Sequence, residues 1–187
     1  MTDRVPPPPV GSRRLLIAGA GIATLGVATG CTGVASTPPR SSATIDDAAV
    51  LNNVLGLEYE AVAAYETALA GGALGAKDAA LAHGFQADHA KHAEALVRAI
   101  LRLQGKPVTA RADYRFAAGA LDRRDDALRF LLGFEQGLAL AHLGAVPAFA
   151  DKNLAKGAAG ILGVETMHWA ALRGALGEDP VPAPFLG

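Results

Sequence analysis

The stretch that decides the fold is Ile161-Leu162-Gly163-Val164-Glu165-Thr166-Met167-His168-Trp169-Ala170-Ala171-Leu172. Together with Leu154, Ala158 and Leu176, its apolar residues fall three or four apart, the spacing of one face of an α-helix. Glu165 and His168 lie on that same face, so a helix that hides its apolar side must bury an acid and an imidazole with it. Working outward, the rhythm recurs three times. It runs through Leu51, Leu55, Glu58, Val62, Tyr65 and Leu69, then through Leu81, Phe85, His89, His92, Leu96, Ile100 and Leu103. A third seam follows Leu128, Leu131, Glu135, Leu138, His142 and Val146. The spacing predicts helices over about 46–70, 77–104, 124–146 and 153–177, with stops at Gly71-Gly72, at Gly105-Lys106-Pro107 and at Pro147.

Composition agrees with an all-α chain. The 187 residues are 51% hydrophobic but only 5% aromatic, so alanine, leucine and glycine carry the apolar content, which suits close-packed helices. Val, Ile and Thr form no alternating runs of the kind a strand needs. Glycine is costly inside a helix, so Gly56, Gly133, Gly137 and Gly163 predict places where helices approach closely. Short links join the first helix to the second and the third to the fourth, which predicts two antiparallel hairpins. Residues 105–123 form the long link; extended, they reach about 60 Å, while the longer helices measure only about 39 Å. The link can therefore return along the whole bundle. The expected fold is a four-helix bundle with one long crossover between helices 2 and 3.

A net charge of −1 gives no positive field for nucleic acid, and the arginines between Arg98 and Arg129 alternate with Asp113, Asp122, Asp125 and Asp126. No nucleic-acid partner is expected.

Six polar residues fall on the apolar seams: Glu58, His89, His92, Glu135, Glu165 and His168. Burying an ionised carboxylate without a partner costs several kcal/mol, and three of them in one core also repel. A divalent cation offsets both costs, and carboxylate and imidazole are its natural ligands. The pattern is repeated. Leu55-Gly56-Leu57-Glu58 reappears 77 positions on as Leu132-Gly133-Phe134-Glu135, and His89-Ala90-Lys91-His92 reappears 76 positions on as Glu165-Thr166-Met167-His168. Each half thus supplies one Glu from its first helix and an i,i+3 pair from its second. Two readings stay open for the six residues: a metal site, or a metal-free Glu–His hydrogen-bond network. Tyr65 and His142 occupy equivalent positions in the two halves and are expected to hydrogen-bond to each other or to the cluster. His83 reads as a surface histidine and Trp169 as a packing residue.

The constellation resembles the ferritin-like superfamily of carboxylate-bridged dimetal proteins over residues 46–177, and especially its exported bacterial ferritin-like and desiccation-associated branch. The residues that carry the likeness are Leu57-Glu58-Tyr59, Glu135 and Glu165-Thr166-Met167-His168. The resemblance implies terminal ligand roles for Glu58, Glu135, His92 and His168, a bridging role for Glu165, and iron or manganese as the metal, mononuclear or dinuclear. His89 departs from the pattern, because a second bridging Glu is expected at its position. An imidazole cannot bridge two ions as a carboxylate does, and three carboxylates leave two divalent ions short of one negative charge. The departure implies plain metal binding for storage, buffering or oxidative-stress protection rather than a dimetal oxidase. The alternative is a metal-free envelope or stress-tolerance protein that retains the fold. Asp88 is no simple substitute, since it points about 100° away from His89 on the helix.

The first forty-five residues read as an address. Ser12-Arg13-Arg14-Leu15-Leu16 opens a short apolar stretch to about Val27, broken by Gly19, Gly21 and Gly26, which resembles a twin-arginine export signal spanning residues 1–31. Ala28-Thr29-Gly30-Cys31 resembles a lipoprotein cleavage box, so the single cysteine is either lipidated, giving membrane association, or removed with the signal. Residues 32–45 form a flexible tether, 46–177 the bundle and 178–187 a tail. The expectations are export by the twin-arginine route to the periplasm or the cell envelope, metal ions as partners, and an oligomeric state left open.

Overall fold

The computed structural model describes residues 46–116 and 121–184; the expected export signal, the expected tether and Cys31 lie outside them. Four helices follow one another: α1 (Asp47–Ala70), α2 (Ala76–Arg102), α3 (Arg124–Ala145) and α4 (Lys152–Ala175), with a 3-10 turn at Val146–Ala148. There is no strand among the described residues, and no helix there is long and apolar enough to cross a membrane.

The boundaries have local causes. The Asp46 carboxylate accepts the Ala48 N–H at 2.9 Å, and Asp151 accepts the Asn153 N–H at 2.7 Å, so α1 and α4 both start on a side-chain cap worth about 1 kcal/mol. At the end of α2 the left-handed residue is Gln104, with φ 59°, and not the neighbouring glycine. Gly105 is needed for another reason: a Cβ there would lie 3.0 Å from Ala48 Cβ and 3.0 Å from Ile100 Cγ2. Leu103 falls beyond the last helical turn and is 41% exposed, so the buried seam of α2 ends at Ile100. Pro147 sits inside the 3-10 turn that prolongs α3.

Side-chain ties fix the topology. Asp47, at the start of α1, accepts the N–H groups of Ala150 and Asp151 at 2.8 and 3.0 Å, which brings the α3–α4 junction to that end of the bundle. The exit of α2 is there as well, because Asn52 accepts the Val108 N–H at 2.8 Å and donates to the Lys106 carbonyl at 3.1 Å. Leu121, just before α3, abuts Gly71 at the far end of α1. The link between α2 and α3 therefore travels the length of α1, as the sequence requires of a long crossover. The main packing is α1 on α2 and α3 on α4, with α1 also meeting α3.

Two apolar clusters fill the core. At one end Leu51, Val54, Leu55, Leu96 and Ile100 pack together; at the other, Tyr65, Leu128, Leu131 and Leu172 do so. Each fully buried Leu or Ile contributes about 1.5–3 kcal/mol, so both ends are strongly held shut. The glycine expectation fails. A Cβ at Gly56, Gly133, Gly137 or Gly163 would meet nothing within 4 Å, so none of these marks a close helix approach.

Candidate metal centre

Between the two apolar clusters, the six polar seam residues meet. Glu58, from α1, and Glu135, from α3, face each other across His89 of α2. With its ring protonated, His89 donates from Nδ1 to Glu58 Oε2 at 3.0 Å and from Nε2 to Glu135 Oε1 at 3.1 Å. One turn on, His92 Nδ1 lies 2.8 Å from Glu165 Oε1 and 3.7 Å from Glu58 Oε1. From α4, His168 Nδ1 lies 3.4 Å from Glu135 Oε2 and 3.7 Å from Glu165 Oε2. The i,i+3 spacing of His89/His92 and Glu165/His168 keeps each pair on one helix face, which is why a single turn of α2 and of α4 delivers two donors each.

The candidate ligand atoms form two groups, Glu58–His89–His92–Glu165 and His89–Glu135–Glu165–His168, each with its atoms within 4.8 Å of one another. His89 and Glu165 belong to both. The three Glu and His89 are 0% exposed, His168 is buried, and the His92 side chain is the least covered at 14%.

A second layer of side chains holds this one. Tyr65 donates its hydroxyl to Glu135 Oε1, and His142 Nε2 sits 3.0 Å from Glu58 Oε1. The two residues do not touch each other; they cross, each reaching the Glu of the opposite half. The Phe85 ring stacks on His168, with centroids 3.8 Å apart. Asp88 lies 3.6 Å from His168 Nε2, the ring nitrogen that faces away from the cluster. That contact is not visible along α2, because Asp88 turns away from His89 only to meet α4. Carboxylates in this position fix the tautomer and orientation of a ligating imidazole. His83 is exposed, and half-buried Trp169 carries the Arg173 guanidinium 5.4 Å from its ring centre.

Electrostatics in this core are dominated by the mutual pairing. Burial opposes the charged form of His89, but the close Glu135 and Glu58 carboxylates outweigh it and lift the pKa to about 10. Burial likewise opposes charge on His92 and His168, yet Glu165 and Glu58 beside the first, and Glu135 and Glu165 beside the second, raise both to about 9. Burial alone would raise Glu135; His168 and His89 reverse that and lower it to about 2. Glu58 is held far below the usual carboxylate range in the same way, by His142, His89 and His92. Burial and the Glu135 charge push the Tyr65 hydroxyl well above its usual value.

The donor set suits a metal ion on a second count. Glu165 Oε1 and Oε2, Glu135 Oε2, His92 Nδ1 and His168 Nδ1 are buried and make no well-aligned hydrogen bond among the described residues; they meet as ion-pair contacts instead, 2.8 Å between His92 Nδ1 and Glu165 Oε1 and 3.4 Å between His168 Nδ1 and Glu135 Oε2. Groups so placed could serve as ligands to an ion lodged among them. Oxygen and imidazole nitrogen in equal measure, without sulfur, fit divalent iron, manganese or zinc.

A model of the ferritin-like domain family matches residues 46–178. Among solved structures, a conserved hypothetical protein of Mycobacterium tuberculosis superposes with a TM-score of 0.64 at 16% identity, over 69% of this chain and 96% of that one. A Bacillus anthracis str. Ames structure, described as ferritin-like and diiron-carboxylate, gives 0.61 at 20% identity, over 73% and 99%. No curated protein sequence matches. At these identities the superpositions speak for the fold alone. With the four helices, their long crossover and a domain match over most of its length, the chain belongs to the ferritin-like family.

Proposed function

We propose that this is an exported ferritin-like protein that holds divalent iron or manganese in its core, for metal storage, buffering or protection against oxidative stress. One observation carries the reading: three Glu and three His converge in the core as two overlapping groups whose candidate ligand atoms lie within 4.8 Å of one another. Glu58 and His92 serve one group and Glu135 and His168 the other, while His89 and Glu165 stand between them. Bound there, the ion would supply Lewis acidity or a reservoir of oxidisable divalent metal. The protein's part is to bind it, exclude bulk water and hold each imidazole in place. Two overlapping Glu/His groups that share His89 and Glu165 support a dinuclear site. Three carboxylates balance two ferric ions less well than two ferrous ones, which favours holding metal over dioxygen activation.

The proposed route to the cell envelope rests on Arg13-Arg14 and the apolar stretch after them, with Cys31 as the residue a lipid would modify. Twin-arginine export moves folded proteins, which suits a metal loaded before export.

A second reading has its own observation. Three glutamates face three histidines whose pKa values lie near 9–10, so the protonated cluster balances its own charge without metal. Elemental analysis of protein purified folded from its native compartment separates the two. One or two metal equivalents, lost on Glu165→Ala, support the metal site. Metal-free protein whose stability Glu165→Ala leaves unchanged overturns it.

A further inference from the structure

His89 stands where the family pattern leads one to expect a carboxylate, yet with Glu165 it belongs to both groups of the cluster. Its two ring nitrogens face opposite ways: Nδ1 toward Glu58 Oε2 at 3.0 Å and Nε2 toward Glu135 Oε1 at 3.1 Å. Each nitrogen therefore looks into a different ligand group, and His89 is counted in both. Two ligands on one metal ion, with bonds of about 2.0–2.2 Å, sit roughly 3.0–3.4 Å apart. The observed nitrogen–oxygen separations are already of that size. An ion inserted beside each pair needs little movement of the ring, whose centre lies 5.3 Å from that of Tyr65.

We infer that His89 bridges two divalent ions through its ring, Nδ1 ligating the ion held with Glu58 and His92, and Nε2 the ion held with Glu135 and His168. The inference rests on the metal-binding reading above and specifies how that site is built. As the two metal–nitrogen bonds form, both N–H protons leave to solvent, and the ring remains as an imidazolate with one negative charge. That charge is the one missing from the carboxylate count. Glu58, Glu135, Glu165 and the bridging ring together carry four negative charges against four positive ones on two divalent ions. Two trivalent ions would stay undercompensated by two. A ring bridge therefore selects a divalent pair and makes the replacement of Glu by His a change of bridge rather than the loss of a site. Glu165 faces both groups, with Oε1 2.8 Å from His92 Nδ1, and Oε2 3.7 Å from His168 Nδ1 and 3.8 Å from His89 Nδ1.

The test is nitrogen-15 NMR of the full chain, labelled in its histidines and loaded with cadmium-113. The expected result is two bound equivalents and one imidazole in which both ring nitrogens show one-bond coupling to cadmium. That signal should vanish in His89→Glu while the two singly coupled rings of His92 and His168 persist and two ions remain bound. Two bound ions with every imidazole coupled through a single nitrogen would overturn the bridge and leave the metal site standing. One bound equivalent would do the same. No bound cadmium would overturn both. The wild-type spectrum decides the matter even if a variant fails to fold.

Discussion

Adding zinc to the metal-free protein at pH 7 should release protons, in a number set by the cluster. The surrounding carboxylates lift His89 to about 10 and His92 and His168 to about 9, against 6.5 for a free imidazole, so all three are predominantly protonated at pH 7. A metal ligates only the deprotonated nitrogen. Filling both groups displaces one proton from His92, one from His168 and two from a bridging His89, about four in all. If each ring ligates through one nitrogen, the count falls to about three. The combined binding constant should then rise by roughly three to four decades per pH unit around neutrality, and metal should be shed on mild acidification. Zinc is the suitable probe because it has no redox chemistry to confuse the count. Titration calorimetry in two buffers of different ionisation enthalpy gives the number directly. Tight uptake with fewer than about one proton released would contradict this count, since the ions would then be bound away from these histidines.

Three further outcomes follow from the same geometry. Stability of the metal-free protein should depend on pH at both ends. The raised histidines stabilise fully below about pH 6.5 and lose that contribution as pH rises through 9–10, while the lowered Glu135 stabilises fully above about 4.5 and loses it as pH falls toward 2. A shift from 6.5 to about 9 is worth about 3 kcal/mol, so a denaturant series should show at least that loss between pH 7 and 10; a flat profile contradicts the pairing. Asp88→Asn should weaken metal binding about 10–100-fold by freeing the His168 ring, with little effect on metal-free unfolding; unchanged affinity would remove Asp88 from the site. Gly133→Ala should stabilise the protein by about 0.5–1 kcal/mol in urea unfolding, because its Cβ enters open space; destabilisation would mean that a close contact exists there after all.

Much of this is legible in the sequence because helices advertise their buried face. The 3-and-4 spacing of Leu51, Leu55, Glu58 and Tyr65 marks residues that are all buried in the fold, and repetition of the polar seam positions picks out the six that meet. What escapes depends on contacts between helices. Asp88 has no evident role along the chain because its partner, His168, lies on α4, and no pattern within α2 reveals that. The crossed pairing of Tyr65 with Glu135 and His142 with Glu58 depends on how the halves are juxtaposed, which fixed spacing does not encode. The helical glycines mislead for the same reason. Their cost is a local property, whereas the space around Gly56 or Gly137 is not. Conversely, Gly105 reads as a helix stop, but it is required by Ala48 and Ile100 rather than by its own backbone angle.

Whether the Glu/His cluster is a metal centre is decided by element-specific anomalous diffraction from crystals of protein loaded in its native compartment. Anomalous peaks are expected within bonding distance of Glu165, with one near Glu58 and His92 and one near Glu135 and His168. Clean density with no peak, and Glu165 hydrogen-bonded directly to His92 and His168, would show that the cluster holds no metal.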